Sequence, residues 1–219
     1  QKSYRRQVLV CGGAGCISSN CGEVRDALIK SVSTYKLDDE VKVMVTGCMG
    51  TCAMGPVILV EPEGIFYTKM NPEKAEDVVA RHLLKDEVCE EYTYFDEDEG
   101  VHVPRMEDIP FFKGQVRVAL RNCGHMEYAS LEAYISRDGY GALARALSEM
   151  TPARVVEEMK TSGLRGRGGA GFPTGGKWEA GMKAVSEDGR KFMVCNADEG
   201  DPGAFMDRSI LEGDPHSII

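Results

Sequence analysis

The sequence predicts an α/β protein in two domains. Three observations carry that expectation. β-type runs alternate with helical periodicity along the chain. The 25 glycines are crowded into two stretches, seven within 11–55 and eleven within 163–203. Two close cysteine pairs stand at the ends of two of the predicted β runs.

The first segment reads β-α-β-β-β-α. Gln7–Val10 is a short β run that ends at Cys11. Gly22–Tyr35 is helical, with Val24, Ala27, Leu28 and Val32 on one face. Val41–Val45 alternates as a strand and ends at Thr46-Gly47-Cys48. Val57–Val60 and Ile65–Thr68 flank Glu-Pro-Glu-Gly, a turn signature, and predict a hairpin. Asn71-Pro72 supplies an N-cap and a proline at the first helical position, and the helix runs to about Leu84. These elements make residues 1–85 one domain.

Residues 86–115 carry Glu90, Glu91, Asp96, Glu97, Asp98 and Glu99 and read as an acidic linker. A solvated stretch or edge hairpin is favoured there over an acidic interaction strip, because charge runs are usually solvated. The second segment, 116–219, opens on an expected strand, Val116–Leu120. Helices follow at Ser130–Ser136 and Tyr140–Met150, and from Thr151-Pro152 to a stop at Gly163. A glycine-rich loop to Gly176, a helix from Lys177 to about Val185, a strand Lys191–Val194 and a carboxylate-rich loop Cys195–Gly203 complete it. The chain starts at Gln and stops one turn into an expected helix at Asp214-Pro215, so a segment of a longer polypeptide is expected.

Composition excludes several classes. The 219 residues carry a net charge of −9, which disfavours nucleic acid, since affinity for it comes from phosphate neutralisation by Lys and Arg. No apolar run approaches the ~20 residues of a membrane span. Behind Lys2, Arg5 and Arg6 only Val8–Val10 is apolar, too short for a signal-peptide core. A cytoplasmic chain with reduced cysteines is expected, without a disulfide framework.

Cys11 and Cys16 enclose Gly-Gly-Ala-Gly, and Cys48 and Cys52 enclose Met-Gly-Thr, with 31 residues between the pairs. If the two preceding strands are parallel neighbours, both loops emerge on one sheet edge. Four thiolates there suit a binuclear iron–sulfur cluster, two to each iron, and glycine N–H groups can hydrogen-bond its sulfurs. A structural zinc prefers tighter knuckles, and a redox disulfide would be C-x-x-C, which is absent. Zinc and four unligated thiols stay open as alternatives. Cys21, at a predicted helix start, is read as non-ligating. Cys89, Cys123 and Cys195 are read as small buried or solvated residues.

Over residues 5–85 this pattern resembles the thioredoxin-like 2Fe–2S ferredoxins, including the small iron–sulfur subunit of respiratory complex I. The resemblance implies a thioredoxin-like fold and a 2Fe–2S cluster on Cys11, Cys16, Cys48 and Cys52.

The stretch Gly163-Leu-Arg-Gly-Arg-Gly-Gly-Ala-Gly-Phe-Pro-Thr-Gly-Gly-Lys177-Trp178 holds a formal G-x-G-x-x-G at 166–171. A helix precedes it and Phe-Pro-Thr-Gly-Gly delays the next one, so it is no ordinary dinucleotide turn. Crowded glycines still let the backbone touch a flat or anionic ligand, with Arg165, Arg167 and Lys177 to neutralise phosphate. Phe172 and Trp178 argue against a merely flexible surface loop. Asn196-Ala-Asp198-Glu199-Gly200-Asp201 suits hydroxyls or ring N–H groups. Its spacing is not that of a calcium loop, and a solvated turn stays open.

Together with Arg121-Asn-Cys-Gly124 and the Met150-Thr-Pro helix, these motifs resemble the NADH-binding FMN flavoprotein subunit of respiratory complex I. The soluble hydrogenase and formate dehydrogenase β subunits of that family resemble this chain more, because they carry an N-terminal ferredoxin domain. The resemblance covers residues 116–219, the N-terminal part of the flavoprotein α/β domain. It implies FMN against Gly166, Arg167, Gly168, Lys177, Asn196, Asp198, Glu199 and Gly200. It implies NAD(H) or NADP(H) near Phe172, Lys177 and Glu199, with Glu199 as an orienting group and no side-chain nucleophile.

By the same resemblance, 4Fe–4S centres belong to a later part of the family's chains. The partners implied are the thioredoxin-like 2Fe–2S subunit and a hydrogenase or formate dehydrogenase catalytic subunit. The function implied is an NAD(P)H oxidoreductase (diaphorase) subunit relaying single electrons. The alternative is a non-catalytic, ferredoxin-like module docking to a larger redox complex.

Overall fold

The structure is a computed structural model and describes residues 3–219. Its strands are β1 (Arg6–Cys11), β2 (Val41–Thr46), β3 (Ile58–Glu61), β4 (Ile65–Tyr67), β5 (Tyr94–Asp96) and β6 (Val101–Val103). Its α-helices are α1 (Ala14–Ser18), α2 (Cys21–Thr34), α3 (Pro72–Val78), α4 (Pro110–Lys113), α5 (Leu131–Ser136), α6 (Gly141–Glu149), α7 (Pro152–Thr161), α8 (Thr174–Lys183) and α9 (Met206–Gly213). The chain divides into two compact units, Gln1–Tyr134 with Glu199–Ile219, and Ile135–Asp198.

The first unit is built on a four-stranded sheet of order β2-β1-β3-β4. β1 and β2 are parallel, with Cys11 opposite Thr46, while β1–β3 and β3–β4 are antiparallel. Val8, Leu28, Val57, Ile58, Phe66 and Tyr67 are fully buried. β1 and β3 are buried along most of their length, so their sequences are continuous apolar runs and not alternating ones. α2 lays Val24, Leu28 and Val32 into this core, and α3 adds Ala75 and Val78. Asn71 caps α3 by accepting from the Lys74 N–H at 2.8 Å, with Pro72 at the first helical position, as expected. α3 runs on through a single π turn, Val79–Leu83.

Residues 86–115, expected as an acidic linker, fold onto this sheet. Cys89 and Ile109 are fully buried, and Phe112 packs edge-on against Phe66 with ring centroids 5.6 Å apart. The free edge of β4 explains the difference. The Phe66 N–H donates to Pro104 O at 2.8 Å and the Thr68 N–H to Tyr92 O at 2.9 Å, so the segment satisfies donors that would otherwise be unpaired. Its acidic part is the tip of the β5–β6 hairpin.

In the second unit the helices lie close to their expected places. Thr151 caps α7 by accepting from the Arg154 N–H at 3.3 Å, and Gly163 follows its end at φ +65°. α8 starts at Thr174, one turn before the expected start at Lys177. A Cβ on Gly175 would lie 2.6 Å from Lys160 N, so this glycine lets α8 close on α7. Two expected strands are absent. Residues 116–120 and 191–194 have no strand neighbours, and Val116, Val118, Phe192 and Val194 are 91%, 69%, 79% and 79% exposed. A β run without a partner ladder leaves its backbone groups to water, and its β propensity cannot hold it extended.

Candidate functional site

The parallel pairing of β1 and β2 delivers both cysteine loops to one edge of the sheet. Cys11 ends β1, and the Gly12 N–H donates to Thr46 O at 2.9 Å. Cys16 lies in α1, Cys48 follows β2 by one residue after Thr46-Gly47, and Cys52 opens a short 3-10 turn to Met54. Thiol hydrogen bonds run from Cys48 to Cys11 and from Cys11 to Cys16. Donation to Cys16 pushes the Cys11 thiol up to about 11 and lowers that of Cys16. Donation to Cys11 raises Cys48.

Backbone N–H groups of Met49, Val57, Gly50 and Gly15 favour the anionic forms of Cys11, Cys16, Cys48 and Cys52 in turn. The glycines around them leave no room for a side chain. A Cβ on Gly13 would lie 2.8 Å from the Cys48 sulfur, one on Gly15 3.1 Å from the Cys52 sulfur, and one on Gly55 3.1 Å from the Cys16 sulfur. Four sulfurs served by N–H donors in a glycine cradle fit a sulfide-bridged iron cluster, whose negative charge those donors offset. Among the described residues no three His, Cys, Asp or Glu side chains gather to hold a single ion.

Cys21 begins α2, buried, and faces a groove of about 510 Å³ that Cys48, Gly12, Gly13 and Ser209 also line. Cys89 is buried in the core, and Cys195 is exposed. Cys123 is closer to the candidate ligands than its sequence setting indicates. A Cβ on Gly47 would meet its sulfur at 2.4 Å and Gly213 Cα at 2.9 Å, and burial pushes its thiol up to about 11. The Gly124 N–H donates to Thr46 Oγ1 at 2.8 Å, and Asn122 donates to Asp214 at 2.7 Å. The run Asn122-Cys123-Gly124 thus packs on the Cys48 loop. A small-residue triplet was the only trace of this in the sequence.

In the second unit the glycine-rich loop closes on itself. The Gly166 N–H donates to Phe172 O at 2.8 Å, the Thr174 N–H to Leu164 O at 2.9 Å, and Arg165 Nε to Gly171 O at 2.6 Å. Arg167 donates to Arg165 O at 2.7 Å. Gly169 and Gly171 take φ +94° and +60°, which their lack of a side chain permits. Gly168 has no atom within 4 Å of a Cβ position, so its backbone is open to a ligand. The loop borders a cavity of about 900 Å³ lined by Gly166, Phe172, Lys177, Trp178, Lys191 and Phe192. That size, with aromatic walls and two cations, lies within the range of small-molecule cofactor sites and fits a flat anionic cofactor.

Asn196 Oδ1 accepts from the Asp198 N–H at 2.9 Å, an Asx turn at the head of the carboxylate loop. Glu199 and Gly200 fall in the first unit. There Glu199 accepts from the N–H groups of Asp207 and Arg208 at 2.8 and 3.2 Å and so caps α9.

Residues 1–82 match the thioredoxin-like 2Fe-2S ferredoxin family, and residues 159–219 match the Nuo51 FMN-binding domain. The chain is 58% identical over 107 residues to the NADP-reducing hydrogenase subunit HndC of Solidesulfovibrio fructosivorans, covering 49% of this chain and 21% of that one. It is 52% identical over 102 residues to an NADH-quinone oxidoreductase subunit of Rhizobium meliloti, covering 47% of this chain and 24% of that one. It thus spans about a fifth to a quarter of the length of these curated relatives. A solved thioredoxin-like 2Fe-2S ferredoxin from Aquifex aeolicus is 30% identical over 41% of this chain and 96% of its own, with a TM-score of 0.38. Two successive segments of the chain thus match two different family models, the ferredoxin one first and the FMN-binding one second.

Proposed function

We propose that the chain is part of an NAD(P)H oxidoreductase subunit, in which Cys11, Cys16, Cys48 and Cys52 hold a 2Fe–2S cluster that relays single electrons. The observation that carries this reading is the cysteine set at the shared edge of β1 and β2, with Gly13, Gly15 and Gly55 packed against the Cys48, Cys52 and Cys16 sulfurs. The names of the relatives, an NADP-reducing hydrogenase subunit and an NADH-quinone oxidoreductase subunit, support the substrate class. They also support a multi-subunit redox complex as the setting.

A bound flavin, when present, accepts hydride from NAD(P)H and releases its electrons one at a time. The residues proposed to hold it are Gly166, Arg167, Gly168, Lys177, Asn196, Asp198, Glu199 and Gly200. The open backbone at Gly168 lets a ring or phosphate approach closely. Lys177 offsets phosphate charge from within the first two turns of α8. Phe172 and Trp178 line the cavity and offer it apolar ring faces, with Phe172, Lys177 and Glu199 proposed to meet the nicotinamide nucleotide. Capping of α9 holds the Glu199 carboxylate in place, which suits an orienting role.

The test is anaerobic reconstitution with iron and sulfide, followed by visible absorbance and EPR of the reduced protein. The expected result is a 2Fe–2S signal that is lost or strongly altered in Cys16→Ser and intact in Cys21→Ser. The reverse pattern would overturn the ligand assignment, and metal analysis showing zinc without iron or sulfide would overturn the cluster. Acid release of flavin in stoichiometric amount tests the second unit. A cluster signal without released flavin would leave a ferredoxin-like module.

A further inference from the structure

Three of the four proposed ligands are enclosed and one is not. Cys11, Cys16 and Cys48 are 2%, 2% and 7% exposed, whereas Cys52 is exposed. The turn that Cys52 opens carries Ala53 and Met54 into a groove of about 550 Å³ whose far wall is the β5–β6 hairpin. The Lys69 N–H donates to Met54 O at 2.8 Å, and the Thr68 N–H donates to Tyr92 O at 2.9 Å. The Cys52 turn, the end of β4 and the approach to the hairpin are therefore one hydrogen-bonded surface.

The hairpin tip is held in shape from within. Asp96 is buried, and its Oδ1 accepts from the N–H groups of Asp98 and Glu99 at 3.0 and 3.3 Å. Glu97, Asp98 and Glu99 are thereby presented to solvent, beside a half-exposed Phe95. The two lysines of the groove offset this only in part, since Lys74 donates to Lys69 O at 2.9 Å and lies over the Tyr92 ring. Glu91 is paired with Arg81. The hairpin lies beyond residues 1–82, so it is outside the part matched to the ferredoxin family.

We propose that this groove docks a partner protein that carries a basic rim around a one-electron redox centre, and that docking sets that centre against Cys52. The inference rests on Cys52 being a cluster ligand. Complementary charge at a rim raises the association rate and fixes register more than it adds raw affinity, which suits a brief electron-transfer encounter. One electron crosses to the partner's oxidised centre, no bond forms or breaks, and no proton moves. The acidic run is thus a steering surface beside Cys52, the exposed member of the ligand set.

Zinc-substituted cytochrome c, a basic and redox-silent probe, tests the docking without relying on turnover. Its binding to the cluster-loaded chain is measured by calorimetry from low to physiological salt. Carbodiimide cross-links between carboxylates and its lysines are mapped by mass spectrometry. The triple variant E97K/D98K/E99K is expected to weaken binding about tenfold at low salt, flatten the salt dependence and lose the cross-links. The variant E23K/D26K/D38K makes the same change of net charge outside the groove and is expected to weaken binding less than about twofold. Equal losses in both variants, or no loss in the first, would overturn the proposal. Visible absorbance of the same samples separates this from a failure of the cluster reading, since a chain without a cluster signal fails there first.

Discussion

In the unit built on β1–β4, Leu9, Leu28, Ile58, Leu59, Phe66 and Tyr67 are buried to 1% exposure or less. In the unit of residues 135–198, Val156 is the one buried large hydrophobic side chain among the described residues, and Val185 and Met193 are 97% and 85% exposed. Both regions carry capped helices and apolar β runs. The β runs that find neighbours are all in the first, while 116–120 there and 191–194 in the second find none. A helix completes its hydrogen bonds within itself and needs one packed face, as α7 and α8 show by closing on each other through Gly175. A strand borrows half its hydrogen bonds from another segment, so 191–194 stays unformed although Phe192, Met193 and Val194 are good strand formers.

The comparison can be broken most strongly by acid. The Tyr67 hydroxyl is hydrogen-bonded to His82 Nδ1 at 2.9 Å and accepts from the Cys89 N–H at 3.3 Å, deep in the first unit. Burial, aided by Arg6, holds His82 down at about 4, with Glu63 and Asp86 opposing and Arg5 reinforcing. A histidine with a lowered folded value binds fewer protons folded than unfolded. Its stabilising effect is therefore complete above about pH 6.5 and is lost as pH falls towards 4. The expected loss is on the order of 2 kcal/mol in hydrogen-exchange stability of the β1–β4 amides between pH 6.5 and 4.5. Residues 135–198 contain no histidine, so α7 and α8 are expected to change much less over that interval. His82→Gln should flatten the response of the first unit. A slope that survives this variant would place the acid sensitivity elsewhere.

The two glycine clusters offer a second, smaller contrast. Gly47→Ala would set a methyl 2.4 Å from the Cys123 sulfur and 2.9 Å from Gly213 Cα, so about 2 kcal/mol of lost stability is expected in urea unfolding. Cys123→Ala in the same chain should recover part of it. Gly168→Ala meets nothing within 4 Å and should cost less than about 0.5 kcal/mol, while weakening flavin retention in chains that bind it. Equal costs at the two sites would mean that the glycines of the second unit also serve packing, against the cradle role proposed for them.

What the sequence made legible follows the same division. The cysteine pairs could be placed on one sheet edge because Val8–Val10 and Val41–Val45 are short apolar runs ending at cysteine loops, and a βα crossover makes such strands parallel. Caps at Asn71 and Thr151 were readable because their mechanism is local. Residues 86–115 were not readable as part of the core. Their ten carboxylates mask Cys89, Ile109 and Phe112, and only the unpaired edge of β4, a tertiary feature, explains why they fold back. Cys123 beside Gly47 and Glu199 capping α9 likewise join residues far apart in the chain, and no periodicity announces them.

The smallest expected effect compares the caps themselves. Asn71→Ala and Thr151→Ala each remove one side-chain acceptor from the first turn of a helix, at 2.8 and 3.3 Å from the donor. Each should cost about 1 kcal/mol or less, the longer contact being the weaker. The locations of the losses should differ. α3 places Ala75 and Val78 at 0% exposure in the shared core, so fraying its first turn should lower the unfolding free energy of the whole first unit. α7 buries only Val156 and is held mainly by α8, so Thr151→Ala should raise exchange at Val155 and nearby amides while the β1–β4 amides stay unchanged. A global loss from Thr151→Ala would show that residues 135–198 share their cooperativity with the sheet.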